Sequence, residues 1–172
     1  GSLSNLTLLD VGTNQLTGNI PSDLGNLSNL TRLRLTDNQL TGAIPETIGN
    51  LTALNYINLS INQLSDAIPA TLGSLINLSE LYLYNNSLTG SIPSGIGNLI
   101  NLETAWLNNN ELSGSIPDTL GGATLLNFLN LGNNMLTGTI PSSLGNLSNL
   151  ETLELATNQL TGPIPATLGN LT

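Results

Sequence analysis

Cysteine, histidine and lysine are all absent from these 172 residues. Without cysteine the chain has no disulfide framework and no thiolate metal site. Without histidine it lacks the commonest general base and the commonest transition-metal ligand, and lysine and cysteine are missing as nucleophiles. The carboxylates are scattered along the chain and form no oxygen-rich calcium loop. We therefore expect a protein that is not an enzyme and that needs no metal or cofactor.

Charge is scarce and mostly negative. Only 8% of the residues are charged, against roughly 25% in typical soluble domains, and two arginines face eleven acidic residues for a net charge of -9. This balance cannot supply the basic surface that nucleic acids or anionic membranes require. No apolar run is long enough to span a bilayer, and the chain does not open on a secretory leader. Nucleic acid and direct membrane insertion are excluded as partners of this segment.

The chain is instead dominated by one repeat. The dipeptide Ile-Pro recurs every 24 residues, at Ile20, Ile44, Ile68, Ile92, Ile116, Ile140 and Ile164. An asparagine keeps the same interval, at Asn14, Asn38, Asn62, Asn86, Asn110, Asn134 and Asn158. Seven units fill residues 1–172 without insertion or linker, which predicts a single repeat array. We expect an internal segment of a longer array, with uncapped ends where flanking repeats or self-association would cover the leucines.

Each unit predicts one short strand. In "TRLRLTD" the alternation places Leu33 and Leu35 inward and Arg32, Arg34 and Thr36 outward. The glycines and proline that follow indicate irregular or short 3₁₀ structure. One unit cannot bury its own leucines, but stacked copies form a parallel sheet over an apolar column, which in the first unit comprises Leu3, Leu6, Leu9, Val11, Leu16, Ile20 and Leu24. The asparagine column lies among these leucines, so we expect a structural ladder that bonds backbone groups of adjacent coils.

The pattern LxxLxxLxLxxNxLxGxIPxxLGxL, seen in "LSNLETLELATNQLTGPIPATLGNL" at 147–171, resembles the plant-type leucine-rich repeat and covers the whole chain. The resemblance implies an α/β-type solenoid, a curved right-handed coil with its parallel sheet on the concave face and 3₁₀ or irregular convex segments. It also implies a second, smaller set of strands and an extracellular or cell-surface location. The sequence departs from the family at Asp66, which replaces a glycine, at "GGATLL" (121–126), and in lacking cysteine-paired caps.

The outward strand positions differ most between units, so they are where function is expected. Every aromatic residue occupies one of them, on four consecutive predicted strands, with Tyr82 and Trp106 as direct neighbours in a patch roughly 15 to 20 Å across. Trp106 follows Ala105, an inward position that is leucine or isoleucine in the other units. The candidate ligand-binding residues are Arg32, Arg34, Tyr56, Asn58, Glu80, Tyr82, Tyr84, Trp106, Asn108, Phe128 and Asn130.

Each part of this face also has a structural interpretation. Aromatic residues favour strands and pack across a sheet without any ligand, and Arg34 faces Asp10 on the adjacent strand. Nine Asn-x-Ser/Thr sequons arise mostly from the repeat consensus, and only glycans at Asn58 and Asn85 would crowd the face.

Three hypotheses follow from the repeat and its outward residues. The first is an extracellular recognition module that binds a peptide, protein or glycan on the concave strands through the candidate residues. The second is a structural or adhesive element of a surface assembly, in which the solenoid is a scaffold. The third is ice binding by the Ser/Thr column, which comprises Thr17, Thr41, Ser65, Thr89, Ser113, Thr137 and Thr161.

Overall fold

The computed structural model describes residues 5–171, so Leu3 of the predicted apolar column lies outside the described residues. The strands are β1 Leu8–Asp10, β2 Thr17–Asn19, β3 Arg32–Arg34, β4 Gln39–Ala43, β5 Tyr56–Asn58, β6 Gln63–Ser65, β7 Glu80–Tyr82, β8 Thr104–Trp106, β9 Ser113–Ser115, β10 Phe128–Asn130, β11 Met135–Thr137 and β12 Thr152–Glu154. The 3₁₀ helices are Ser22–Asn26, Glu46–Asn50, Ala70–Ser74, Ser94–Asn98, Asp118–Gly122, Ser142–Asn146 and Ala166–Asn170. Each 3₁₀ helix begins directly after the proline of an Ile-Pro pair, where the fixed φ of proline suits the entry to a helix.

The main sheet is parallel throughout. Within residues 5–171 it has seven strands in the order β1-β3-β5-β7-β8-β10-β12. Paired residues lie 24 positions apart, as in Leu9 opposite Leu33 and Leu81 opposite Ala105. The predicted register and solenoid fold are therefore confirmed, with this sheet along the concave side of a curved repeat coil.

The second strand set is interrupted. In the described part of the chain it consists of a three-stranded sheet, β2-β4-β6, and a separate pair, β9 and β11. Between the three-stranded sheet and the separate pair, an isolated bridge from Ala67 to Thr89 links the third unit to the fourth. Asp66 adopts a left-handed φ of 61°, close to the 72° of Gly42 at the equivalent position, so the aspartate preserves the turn that glycine makes elsewhere.

Leucine and isoleucine columns fill the space between the main sheet and the 3₁₀ helices. Leu33, Leu81 and Leu129 are at most 1% exposed, and Ala105 at the same level of the stack is 1% exposed. The end units are less covered, since Leu16 is 43% exposed and Ile164 is 78% exposed. The central units therefore contribute most of the buried apolar area, about 25 cal/mol for each Å² removed from water.

The asparagine column lies at the turn after each main strand. From Asn38 to Asn158, every side-chain nitrogen donates to a carbonyl of its own coil and to one of the preceding coil. Every side-chain oxygen accepts from a leucine N–H of the preceding coil. One amide thus satisfies backbone groups that would otherwise be buried without partners, and ties each coil to its neighbour.

Candidate functional site

The outward side chains of the main sheet form rows that run across the strands. In one row Arg32, Tyr56, Glu80, Thr104 and Phe128 lie opposite one another in turn. This row follows from the 24-residue register, because one coil places each residue beside its equivalent.

A parallel row two residues further along each strand contains Arg34, Asn58, Tyr82, Trp106 and Asn130. Tyr82 is therefore the direct neighbour of Trp106 and the diagonal neighbour of Tyr56. Trp106 is 39% exposed while Ala105 behind it is buried, so the alternation is unbroken at this point.

Four of the rings are in contact. Tyr82 meets Trp106 edge to face with ring centroids 5.5 Å apart, and Tyr56 and Tyr84 extend the contact at 5.7 Å from Tyr82 and 5.8 Å from Trp106. These separations and tilted geometries are those that aromatic pairs favour. We call these four residues the aromatic cluster. The three tyrosines are half-buried, so the cluster presents a continuous apolar surface with polar edges to solvent.

Phe128 lies apart from the aromatic cluster. It is 36% exposed and sits opposite Thr104, and within residues 5–171 its ring makes no contact with the other rings. The predicted patch of five aromatic residues is thus a cluster of four with one separate ring.

The two arginines have different surroundings. The Arg32 guanidinium lies 4.5 Å from the Tyr56 ring centroid, a cation–π contact that extends the aromatic cluster to a positive edge. Arg34 instead lies 3.4 Å from the Asp10 carboxylate, in an exposed pair that contributes little stability. Among the described residues Arg32 has no carboxylate partner. A surface depression of about 230 Å³ is lined by Leu8, Asp10, Arg32, Arg34 and Tyr56.

Glu80 and Tyr82 form a polar contact within the cluster. The Tyr82 hydroxyl donates to Glu80 Oε2 at 2.7 Å. Burial and the bond to this carboxylate raise the pKa of Tyr82 well above its usual value, with the neighbouring Thr104 side chain acting in the opposite direction. The phenol is therefore neutral at physiological pH and holds the Glu80 side chain against the aromatic cluster.

Asn58 and Asn130 support the backbone. Asn58 Oδ1 accepts from the Ser60 N–H at 3.0 Å and from the Ser60 hydroxyl at 2.6 Å, while its amide nitrogen donates to the Tyr56 hydroxyl at 3.3 Å. Asn130 Oδ1 accepts from the Gly132 N–H at 3.0 Å. The geometry thus gives these two candidate residues a structural role at the end of their strands.

The alternation that places Thr36 outward also places Ser60 and Thr104 outward, but all three side chains are buried. Thr36 is 6% exposed and Ser60 is fully buried, and their hydroxyls are 2.8 Å apart. Because the Ser60 hydroxyl donates to Asn58, the hydrogen between the two hydroxyls belongs to Thr36. Small side chains at this position are covered by their neighbours, which alternation along one strand does not reveal.

Asn108 differs from the other candidate amides. Its Oδ1 is buried and accepts no hydrogen bond within the described part of the chain. Asn108 occupies the position that follows Trp106 on the outward side and is equivalent to Tyr84 on the preceding coil. A buried acceptor without a donor costs about 1 to 3 kcal/mol.

One contributor to the site and one contact within it were missed in the sequence. Thr104 is 9% exposed and lies between Glu80 and Phe128 in its row, and Arg32 stacks on Tyr56. Both pairings follow from the 24-residue register, so counting across strands would have indicated them.

The outward face of the main sheet presents side chains suited to contact with another molecule. In residues 5–171 no group of three or more Asp, Glu, His or Cys residues is placed to hold a metal ion. No helix in the same span has the length and apolar character needed to cross a bilayer. Among the described residues the face offers an aromatic surface with Arg32, which has no carboxylate partner, at its edge.

Comparison with known proteins identifies similar repeats and similar structures. Family models described as leucine rich repeat match residues 28–88 and residues 5–27, 101–123, 125–147 and 149–171. No curated protein sequence matches the chain significantly.

The solved structures that resemble the chain include receptor ectodomains. The LRR ectodomain of the plant membrane receptor kinase GASSHO1/SCHENGEN3 from Arabidopsis thaliana, in complex with CASPARIAN STRIP INTEGRITY FACTOR 2, is 48% identical with a TM-score of 0.93, over 98% of this chain and 21% of that one. The plant peptide hormone receptor RGFR1 in complex with RGF2 is 40% identical with a TM-score of 0.95, over 98% of this chain and 28% of that one. A plant ice-binding protein is 28% identical with a TM-score of 0.68, over 95% of this chain and 68% of that one. This chain thus spans less than a third of either receptor chain.

Proposed function

This chain belongs to the leucine-rich repeat family, and we propose that it is the recognition segment of an extracellular receptor-type array that binds a peptide or protein on its concave strands. The aromatic cluster is the binding surface. Two similar structures are receptor ectodomains in complex with CASPARIAN STRIP INTEGRITY FACTOR 2 and with RGF2, which supports a ligand of this class.

The observation that carries the proposal is the contiguous aromatic cluster on an open face. Tyrosine and tryptophan account for a large share of binding energy at protein interfaces, because their rigid rings bury much area at low entropic cost. Packing between neighbouring rings buries only one side of each ring. The 39% exposure of Trp106 leaves its outer surface available to a ligand side chain.

The polar groups around the aromatic cluster suit an extended peptide. Arg32 is held in place by Tyr56 and offers its guanidinium edge to a ligand carboxylate, with Arg34 beside it. The ligand therefore lies across the strands, with a carboxylate toward β3 and an apolar side chain on Trp106.

A selection from a random-peptide display library tests this proposal. Peptides are selected on the wild-type chain and their affinities are measured for Trp106→Ala and for Met135→Ala, a matched control that is 42% exposed outside the aromatic cluster. We expect Trp106→Ala to lose about 2 kcal/mol, about 30-fold in Kd, and Met135→Ala to retain wild-type affinity. Equal affinities for both variants would remove the aromatic cluster as the binding surface.

A structural or adhesive role is the second candidate, favoured by the exposed Ile76 and Ile100 of two adjacent central units. It predicts concentration-dependent self-association that persists in Trp106→Ala, measured by sedimentation equilibrium. The Ser/Thr column keeps ice binding as a third candidate, supported by the similarity to a plant ice-binding protein. Thermal hysteresis measured on the wild-type chain decides that case.

A further inference from the structure

One side of the solenoid carries no charge. Four residues follow each of the first six 3₁₀ helices before the chain turns onto the concave face, at 27–30, 51–54, 75–78, 99–102, 123–126 and 147–150. None of these residues is charged, although the chain has a net charge of -9. Glu103 and Glu151 come soon after two of the segments, but at outward positions of the concave face. We call the side of the coil that the six segments form the neutral edge.

The middle of the neutral edge is apolar. Ile76 and Ile100 are 54% and 58% exposed on successive coils, and Leu125 is 43% exposed on the coil after them. We call these three residues the edge patch. At the position of the two isoleucines the other coils have hydroxyl residues, which are Ser28, Thr52, Thr124 and Ser148. The edge patch therefore interrupts a polar row, and contiguous exposed apolar side chains mark contact sites on soluble proteins.

Leu125 replaces a residue that elsewhere links neighbouring coils. Asn101, its equivalent one coil before, donates from its amide nitrogen to the Ile76 carbonyl at 2.8 Å, and Asn149 makes the same bond one coil after. Leucine has no such donor, so within residues 5–171 no side chain donates to the equivalent carbonyl, that of Ile100. The fold loses a hydrogen bond between coils here and exposes a large apolar side chain, which favours a contact outside the fold.

We propose that the edge patch pairs two copies of this chain about a two-fold axis. A two-fold contact brings the same surface of both copies together. The coils are evenly spaced, about 4.8 Å apart, so Ile100 lies midway between Ile76 and Leu125. Ile100 therefore meets Ile100 of the second copy on the axis, and Ile76 of each copy meets Leu125 of the other.

Charge and size favour a second copy as the occupant. Charged residues are depleted at the centre of protein interfaces, and two chains of net charge -9 approach most easily where neither presents a charge. Three half-exposed side chains cover far less than the roughly 800 Å² per partner of a standard interface. The uncharged polar residues around them supply the remaining contact, so the dimer is weak. The concave face takes no part, which leaves the aromatic cluster open to a ligand.

Sedimentation equilibrium of the full chain, at concentrations up to about 1 mM, tests the proposal. We expect monomer and dimer only, because a two-fold contact closes on itself, whereas a structural element of an assembly would continue to grow. Ile100→Thr copies the residue of other coils and should raise the dimer Kd at least about 10-fold, since the substitution occurs twice in the contact.

Ile61→Thr is the matched control for Ile100→Thr. Ile61 is 40% exposed in the turn after β5, away from the neutral edge, and Thr13 and Thr157 occupy its position in other coils. We expect the dimer Kd of this variant to equal that of the wild-type chain. Monomer alone at every concentration, growth beyond two copies, or the same Kd for both variants would overturn the proposal.

Leu125→Asn separates the contact from the fold. The introduced amide is placed to donate to the Ile100 carbonyl as Asn101 donates to that of Ile76. The midpoint of urea unfolding should therefore stay the same or rise, while the dimer Kd rises. A lower midpoint with an unchanged Kd would show that Leu125 serves the fold, which contradicts the proposal.

An introduced thiol locates the axis, because the chain has no cysteine of its own. Ile100→Cys places two thiols against each other in the dimer, so oxidation by diamide should join two copies at least about 10-fold faster than in Ile61→Cys. Equal rates would contradict the proposed axis. Peptide affinity is measured separately on Ile100→Thr and should match the wild-type chain, so a failure of the dimer and a failure of the proposed function are distinguishable.

Discussion

Replacing Asn110 with alanine tests the role of the asparagine ladder at one of its buried positions. Asn110 is 9% exposed. Its amide nitrogen donates to the Leu83 and Leu107 carbonyls, both at 3.1 Å, and its oxygen accepts from the Leu88 N–H at 3.0 Å. Leu88 is fully buried, so water cannot replace the lost acceptor.

The expected loss follows from these bonds. Leaving the Leu88 N–H unsatisfied costs about 1 to 3 kcal/mol, and each lost bond to a carbonyl contributes about 1 kcal/mol more. We expect Asn110→Ala to lower the free energy of unfolding by about 3 to 5 kcal/mol. Asn14→Ala is the matched control, because Asn14 is exposed, bonds only Val11 and Gly12 of its own coil, and accepts from no N–H in the described part of the chain. Its expected loss is at most about 2 kcal/mol, because only two exposed bonds to carbonyls are lost.

Urea unfolding followed by circular dichroism measures both losses. The midpoints are compared only where the slopes agree, because repeat arrays unfold in stages when one interface is weakened. A loss for Asn110→Ala that is no larger than that for Asn14→Ala would refute the reasoning, since it would mean that the ladder between coils adds nothing beyond the local turn.

Three further variants test other parts of the fold. Gly97→Ala should lose more than about 2 kcal/mol in urea unfolding, because a β-carbon would overlap the backbone of the next coil, while Gly169→Ala, with open space around it, should change little. Ile61→Asn should gain about 1 kcal/mol in thermal unfolding, because Ile61 has a left-handed φ of 55° at the position that Asn109 occupies at the same angle. The raised pKa of Tyr82 favours the protonated phenol in the folded state. Stability should therefore fall as pH rises above about 10, and Tyr82→Phe should remove this dependence along with the delayed tyrosinate step in ultraviolet titration.

Much of the fold was readable from the sequence because one period controls it. The 24-residue interval sets the strand register, so the pairing of Tyr82 with Trp106 and of Asp10 with Arg34 follows from counting. The inward position of Ala105 follows in the same way. A repeat array has almost no freedom of topology, and this is why local pattern and overall fold agree.

The details of the face were harder to predict because they depend on side-chain size and direction. Alternation placed Thr36 and Ser60 outward, but neighbouring side chains bury them. The separation of Phe128 from the aromatic cluster and the unsatisfied oxygen of Asn108 both arise from which side chains lie between rows. The sequence pattern predicts which residues share a row, but it does not predict the side-chain contacts between rows.

Trp106 is the only tryptophan in the chain, and it provides the most direct test of the central claim that the aromatic cluster binds the ligand. A library-selected peptide without tryptophan is titrated into the wild-type chain while Trp106 emission and its quenching by acrylamide are recorded. Binding on the aromatic cluster should bury the exposed ring, shift the emission to shorter wavelength and reduce quenching, with a midpoint that equals the Kd from calorimetry. Binding detected by calorimetry with unchanged emission and quenching would contradict the account.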